Sequence, residues 1–316
     1  MIDKLKFFNS KRRKGLMGIA LSNTHISLVH CVQADQGKPK VSMAHVEQLR
    51  LEDDIGLKRL VHHLGLKFYP CNLVLNADQY QVLQVDKPNM PEDEIQNALV
   101  WKVKSLIDYP VTDATIRGID VPSDPQQPNR SPFMFAICAK NNLLQDVSNR
   151  LMDAGFQLKS VDVQVLAQRN IAALLEQDNR VVVLVSLSAK GCLITFSAGG
   201  ELYHARFVEL DRGYLYDQLG DLIASNLERL VLELQRSLDS FDRQFPYLSV
   251  QRVVICPDQN ATRFVDDLKN SLYLPVETFT LADIVELPEG EDFSSIEKQS
   301  MLLTALGAAL RSEENL

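Results

Sequence analysis

Gly18-Ile19-Ala20-Leu21-Ser22-Asn23-Thr24-His25-Ile26-Ser27-Leu28-Val29 is the stretch whose reading decides the fold. Met17, Ile19 and Leu21 alternate with Gly18, Ala20 and Ser22; beyond the turn, Ile26 and Leu28 alternate with Ser27 and Val29. A period of two over such short runs predicts strand, turn, strand. Ser22-Asn23-Thr24 are short polar residues that bond their own backbone, which suits the turn. A third strand is expected over 40–51, after Asp35-Gln36-Gly37-Lys38-Pro39. The pattern returns over 181–187, 192–197 and 201–209, with turns at Ser188-Ala189-Lys190-Gly191 and Ala198-Gly199-Gly200. Two three-strand meanders, each leading a helix-rich region, predict an internally duplicated α/β protein.

A chain of 316 residues is long enough for two domains with sizeable cores. Its 46% hydrophobic and 23% charged residues are ordinary for a globular protein. A net charge of −8 argues against a nucleic-acid partner, which requires a basic face. No run of apolar residues is long enough to predict a membrane span, and the basic N-terminal stretch lacks a signal cleavage pattern, so a cytoplasmic protein is expected. Cys31, Cys71, Cys138, Cys192 and Cys256 are odd in number and show no zinc or redox spacing. They read as small buried hydrophobes in a reducing compartment. His62 and His63 are adjacent, about 100° apart on a helix, and read as a solvated face.

Along the chain, residues 1–14 hold Lys4, Lys6, Lys11, Arg12, Arg13 and Lys14 against one acid, Asp3. Ile2, Leu5 and Phe8 fall at helical spacing with Phe7 beside them, so a membrane-surface helix and a solvated basic tail both fit. Helices are expected over 55–66, 91–106, 143–154, 168–175, 214–241, 261–272 and 296–310. Strands are expected over 71–76, 80–85, 115–121, 133–139, 159–165 and 250–256. Pro91 opens the second of these helices, Glu92, Asp93 and Glu94 suit its first turn, and Ile95, Leu99 and Lys102 fall roughly in line. Four prolines over 122–132 predict an exposed loop. The last helix is small on one face (Ala305, Gly307, Ala308, Ala309), which suits close packing on a sheet.

Catalytic signatures are missing: there is no GxSxG, P-loop, GxGxxG or HExxH. Other stretches carry a resemblance through their order. Gly18-Ile19 opens the first hairpin, and Pro88-Asn89-Met90-Pro91-Glu92-Asp93-Glu94-Ile95 leads to Trp101. Asp153-Ala154-Gly155-Phe156 precedes Val161-Asp162; Glu233-Leu234-Gln235-Arg236-Ser237-Leu238 and Ala305-Leu306-Gly307-Ala308-Ala309-Leu310-Arg311 follow. Over roughly residues 15–311 the chain resembles the PilM-like proteins of type IV pilus platforms, within the actin-like ATPase superfamily. Among these it is most similar to the branch serving the mannose-sensitive haemagglutinin (MSHA) pilus.

The resemblance implies an α/β fold of duplicated actin-like (ribonuclease H-like) lobes with an inserted small subdomain in the N-terminal lobe. Its boundaries would be a basic tail over 1–14, a first lobe over 15–178 with its insert at about 78–157, and a second lobe over 179–316. That lobe's small subdomain is reduced, since the chain is short between Arg212 and Asn226. The family's first phosphate loop has an aspartate and a glycine where this chain has Ala20 and Ser22; the second has the same pair at Ser186 and Ser188. Pro257 and Asp258 replace the glycine pair of the adenosine loop. Those aspartates anchor Mg²⁺ through water, and Pro257 offers no N–H. A degenerate, non-hydrolysing protein is therefore expected, with no catalytic residue, metal or cofactor. The alternative is an active actin-like ATPase, using ATP and Mg²⁺, that switches or polymerises during pilus assembly. The implied partner is the N-terminal cytoplasmic tail of a PilN-like bitopic inner-membrane protein, with the assembly motor as a further one. The resemblance puts the tail near the helix of Pro91, Ile95, Leu99 and Lys102, and the protein peripherally on the inner membrane.

Overall fold

Alternation in the sequence becomes two five-stranded sheets of the same plan. The computed structural model describes residues 14–34, 36–124, 132–177, 180–188, 190–210, 220–258, 261–290 and 292–311. The readings made on 1–13, 125–131 and 211–219 lie outside the described residues. Strands β1 (Leu16–Leu21), β2 (Ile26–Val32) and β3 (Lys40–Glu47) form the first meander. Pairing of Leu21 with Ile26 leaves 22–25 as its turn. Helix α1 (Asp54–His63) is capped by Asp53, which accepts the Gly56 N–H at 2.9 Å, and leads to β4 (Pro70–Leu75), parallel to β1.

The chain then leaves this sheet. β5 (Tyr80–Asp86), α2 (Glu92–Val103), β6 (Ala114–Asp120) and β7 (Phe133–Lys140) make a separate unit with strand order β5-β7-β6. Helix α3 (Asn141–Ala154) ends at Gly155, whose φ of 102° is a left-handed cap, and returns the chain to β8 (Gln157–Val163), parallel to β4. Helix α4 (Gln164–Leu175) crosses to the second lobe. There β9 (Val181–Ser188), β10 (Gly191–Ala198) and β11 (Glu201–Glu209) repeat the meander. After α5 (Gly220–Gln244), β12 (Val250–Ile255) pairs parallel to β9; α6 (Ala261–Lys269), β13 (Val276–Thr278), α7 (Leu281–Ile284) and α8 (Ile296–Ala309) complete the chain. The orders β3-β2-β1-β4-β8 and β11-β10-β9-β12-β13 are one topology used twice.

Helices α4 and α8 lie between the two sheets and share one core, in which Val29, Ile171, Val182, Leu184, Leu302 and Leu306 meet. Small residues make this possible: Gly18 of β1 lies against the Ala305 carbonyl, and Gly307 against that of Ala167. The outer face of the first sheet is covered by α1 and α3, through Met17, Ile19, Leu57, Leu73 and Leu151. On the second sheet, α5 buries Leu230, Leu234 and Phe241, with Phe196 and Phe241 stacked at 4.9 Å between centroids. All five cysteines are buried free thiols, and burial pushes Cys71 up to about 12.

His204 on β11 meets Phe196 edge-on at 5.2 Å, and its Nε2 is buried without a partner among the described residues. Burial, and secondarily Arg206, pushes its pKa down to about 4. The folded state thus holds it neutral while the unfolded chain protonates near the ordinary 6.5. Stability is present above that value and falls as pH drops toward 4, by up to about 2 kcal/mol between pH 7 and 5. Urea unfolding of the parent and of His204→Phe at both pH values checks this; the substituted chain should lose that share of the slope.

Candidate functional site between the lobes

A cavity of about 520 Å³ opens where the two lobes face each other. Strand β1 supplies Ala20, and the β1–β2 turn supplies Ser22, Thr24 and His25; Asn76 follows β4, and α4 supplies Gln164. Across from them stand Ser188 of β9, Asp258 after β12, and Glu297, Ser300 and Thr304 of α8. Four of the six residues read from sequence as nucleotide-loop positions, Ala20, Ser22, Ser188 and Asp258, therefore line one cavity. Ser186 and Pro257 are buried beside it and do not line it.

The hydroxyls are already committed. Ser22 Oγ accepts the N–H of His25 at 3.0 Å and of Thr24 at 3.2 Å, and lies 2.7 Å from His25 Nδ1. These bonds tie the turn to itself, as short polar turn residues do. Ser188 Oγ donates to the Gly191 carbonyl at 3.1 Å and accepts from the Lys190 N–H at 3.4 Å. Ser186 Oγ donates to Gln168 Oε1 at 2.7 Å, and Gln168 Nε2 donates to the Leu184 carbonyl at 2.6 Å and to Thr195 Oγ1 at 3.0 Å. Ser186 is thus built into a buried polar network under the second hairpin.

The described lining of the cavity carries acidic groups. Among the described residues its lining holds the carboxylates of Asp258 and Glu297 and neither lysine nor arginine. Burial pushes the His25 pKa down, so that ring is neutral near pH 7. Lys190, next to the second turn, is paired with Asp78 in the turn between β4 and β5, tying the second lobe to the first. Among the described residues no three His, Cys, Asp or Glu side chains are grouped to hold a metal ion.

The residues read as a partner site on α2 divide. Ile95 and Leu99 are buried with Val103 against the three-stranded sheet, so the inward line steps by four; Lys102 falls off it and is exposed, as is Pro91. As corrections to the expected face, Ile95 and Leu99 are core. The outward face instead presents Trp101, 75% exposed, with Lys104 Nζ 5.5 Å from its ring centroid.

Sequence reading missed His25, Asn76, Gln164, Gln168, Glu297 and Thr304 as neighbours of the cavity. The one signal available was polarity out of place: Gln164 and Gln168 are glutamines one turn apart in an apolar run, and both are buried. Gln164 Oε1 accepts the Ala77 N–H at 3.0 Å, joining α4 to the end of β4.

Two like lobes around a cleft, each a meander followed by two parallel strands, define the actin-like ATPase fold. Solved structures of that fold match the chain along nearly its whole length. One is the PilM–PilN type IV pilus biogenesis complex, at 18% identity and a TM-score of 0.72, covering 95% of this chain and 98% of the other. A second is the cytoplasmic domain of EpsL, an inner-membrane component of the type II secretion system of Vibrio cholerae, at 11% identity and a TM-score of 0.52, covering 93% and 95%. A third is a Bacteroides thetaiotaomicron protein of actin-like ATPase fold and unknown function, at 11% identity and a TM-score of 0.51, covering 95% and 99%. No protein-family model and no curated protein matches the chain.

Proposed function

We propose that this chain is a non-hydrolysing scaffold of a type IV pilus platform. It would be a PilM-like protein of the MshI kind, serving an MSHA pilus. Residues 15–178 and 179–316 are its two lobes, with about 78–157 as the insert. It holds the N-terminal cytoplasmic tail of a PilN-like bitopic inner-membrane protein, stays through that grip on the cytoplasmic face of the inner membrane, and links the partner to the assembly motor. The observation that carries this reading is the state of the phosphate loops. Their hydroxyls at Ser22 and Ser188 are spent on their own turns, no carboxylate stands at Ala20 or Ser186, and the described residues of the cavity lining offer carboxylates and neither lysine nor arginine. ATP and Mg²⁺ have no place in such a cleft, which keeps its geometry as the join between lobes. The likeness to the PilM–PilN structure supports the partner.

The tail would dock on the outward side of α2, with Pro91, Trp101 and Lys102 in contact. An exposed tryptophan is the residue type that most often carries an interface, and an extended tail adds backbone pairing to its anchors. Trp101 is the only tryptophan in the chain, so its fluorescence reports this surface alone. A synthetic tail of the PilN-like partner is expected to shift that emission, and calorimetry is expected to show about tenfold weaker binding to Trp101→Ala. Mg-ATP is expected to give no heat at micromolar concentration. Micromolar Mg-ATP binding, abolished by Ser22→Trp or Ser188→Trp, would overturn the scaffold reading in favour of the switching ATPase.

A further inference from the structure

Helix α1 turns Leu57, Leu60 and Val61 into the core of the first lobe. On its other side Ile55, Lys58, Arg59, His62 and His63 follow one another at spacings of three and four, so they form a single stripe of neighbouring side chains. All five are exposed, and together they line an open depression of about 560 Å³. Ile55 is 72% exposed. From Ile55 to His63 the helix has no carboxylate. The two immediately before it are engaged: Asp53 accepts the Gly56 N–H at 2.9 Å, and Asp54 pairs with Arg150 of α3 at 3.2 Å. Lys58, Arg59, His62 and His63 form no ion pair among the described residues. The stripe is thus two cations and two imidazoles beside an apolar side chain, on a chain whose net charge is −8.

We propose that this stripe docks a short acidic segment of a partner protein. The segment's carboxylates meet Lys58, Arg59 and the imidazole N–H groups, and an aliphatic side chain covers Ile55. Charge complementarity selects an anionic occupant, and size selects a protein segment. From Ile55 to His63 the stripe is about 12 Å long at 1.5 Å per residue. That is little more than the screening length of about 8 Å in physiological salt. A nucleic acid or a bilayer is broader, and would bring its charge against the exposed Glu52 before α1 and the exposed Asp146 and Asp153 of α3. A short segment touches the stripe and little else. The apolar face of α1 is already in the core, which leaves Ile55 alone to enter a bilayer, whereas one apolar contact ringed by polar groups suits a protein interface. Helix α1 covers the first five-stranded sheet and α2 the separate three-stranded one, so this contact rests neither on the α2 surface nor on the state of the cleft.

Fluorescence anisotropy with the full chain tests it. The probe is a short labelled peptide of glutamates with leucine at every fourth position, and its companion carries glutamine in place of glutamate. The parent should bind the glutamate peptide at least about tenfold more tightly than the glutamine one, and added salt should shrink that difference. K58Q/R59Q should weaken binding of the glutamate peptide about tenfold, the share of two surface ion pairs. Ile55→Ser should weaken it about fivefold with the charge unchanged. K159Q/K269Q removes equal charge elsewhere and should leave it within about twofold. Every substituted side chain is exposed, so the urea midpoint should stay that of the parent. No binding by the parent would overturn the proposal, as would equal binding of the two peptides, parent-like binding by K58Q/R59Q or Ile55→Ser, or an equal fall in K159Q/K269Q. A single-stranded oligonucleotide or phosphatidylglycerol vesicles that bind the parent more tightly than the peptide, and lose that binding in K58Q/R59Q, would also overturn it. Unchanged affinity of these variants for the PilN-like tail keeps the outcome separate from the scaffold reading.

Discussion

Gly18→Ala is expected to destabilise the chain by about 3 kcal/mol, the upper end for one methyl forced into a packed core. The cause is steric and lies in backbone atoms. A Cβ on Gly18 would overlap the carbonyl oxygen of Ala305 and stand 2.8 Å from the amide nitrogen of Ala309. No rotamer change relieves that contact, so α8 would have to lift from β1. It cannot do so freely, because its other side is held at Gly307 against the Ala167 carbonyl. Lifting would also strain side-chain bonds that reach its backbone from both sides: Asn170 Nδ2 to the Gly307 carbonyl at 2.9 Å, and Asn72 Nδ2 to the Ala308 carbonyl at 3.2 Å. Urea unfolding should show a lower midpoint at unchanged slope. Ala305→Gly in the same chain should not restore it, since the obstacle is a carbonyl and not a methyl. A loss under about 1 kcal/mol would mean that α8 yields more easily than a helix held between two sheets should.

The duplicated fold was legible because both meanders advertise themselves locally. Alternation at Met17, Ile19 and Leu21, and the turns read at 22–24 and 188–191, return in the β1–β2 and β9–β10 hairpins within a residue or two. Gly155 directly follows the helix expected over 143–154 and closes α3. The small face of the last helix was legible for a similar reason: only a near approach of backbones uses Gly307 and three alanines together. The start of α4 was placed four residues late, because Gln164 and Val165 read as the end of the strand expected over 159–165 until Ala77 is known to sit opposite Gln164. On α2, Lys102 and Val103 are equally good candidates for the next inward position after Leu99, and only the sheet beneath selects Val103. Four of the loop positions read from sequence share one cavity, but the bonding of their side chains was not legible. That Ser22, Ser188 and Ser186 have their hydroxyls engaged depends on His25, Gly191 and Gln168. Only the last of these, Gln168, lies far from its serine in sequence.

Replacing Arg311 by leucine should cost about 3 kcal/mol, because it strands a buried carboxylate. Two stretches that the sequence offered only as separate marks of resemblance meet here. Asp162, from Val161-Asp162, has its side chain 4% exposed, and Arg311, from the far end of the chain, reaches it with Nη1 3.1 Å from Oδ2. The remaining donors are weaker. The Val163 N–H lies 2.9 Å from Oδ1 and Asn72 Nδ2 lies 3.5 Å from Oδ2, while Ser160 Oγ, donating at 2.7 Å, holds Asn72 from behind. The ion pair therefore clamps the end of α8 to β4 and β8, the same helix that Gly18 admits to the sheet. Arg311 keeps 24% of its side chain exposed, so solvent screens part of its attraction and the cost falls at the low end for a buried pair. Asp162→Asn alone should also destabilise, since it removes the buried carboxylate that faces the guanidinium. The double substitution should cost less than the sum of the two by at least about 1 kcal/mol, because it removes both charges and abandons neither. Chemical unfolding of the three variants measures that coupling. Simple additivity would mean that the carboxylate is held by its N–H donors alone and that the end of α8 is fixed by packing.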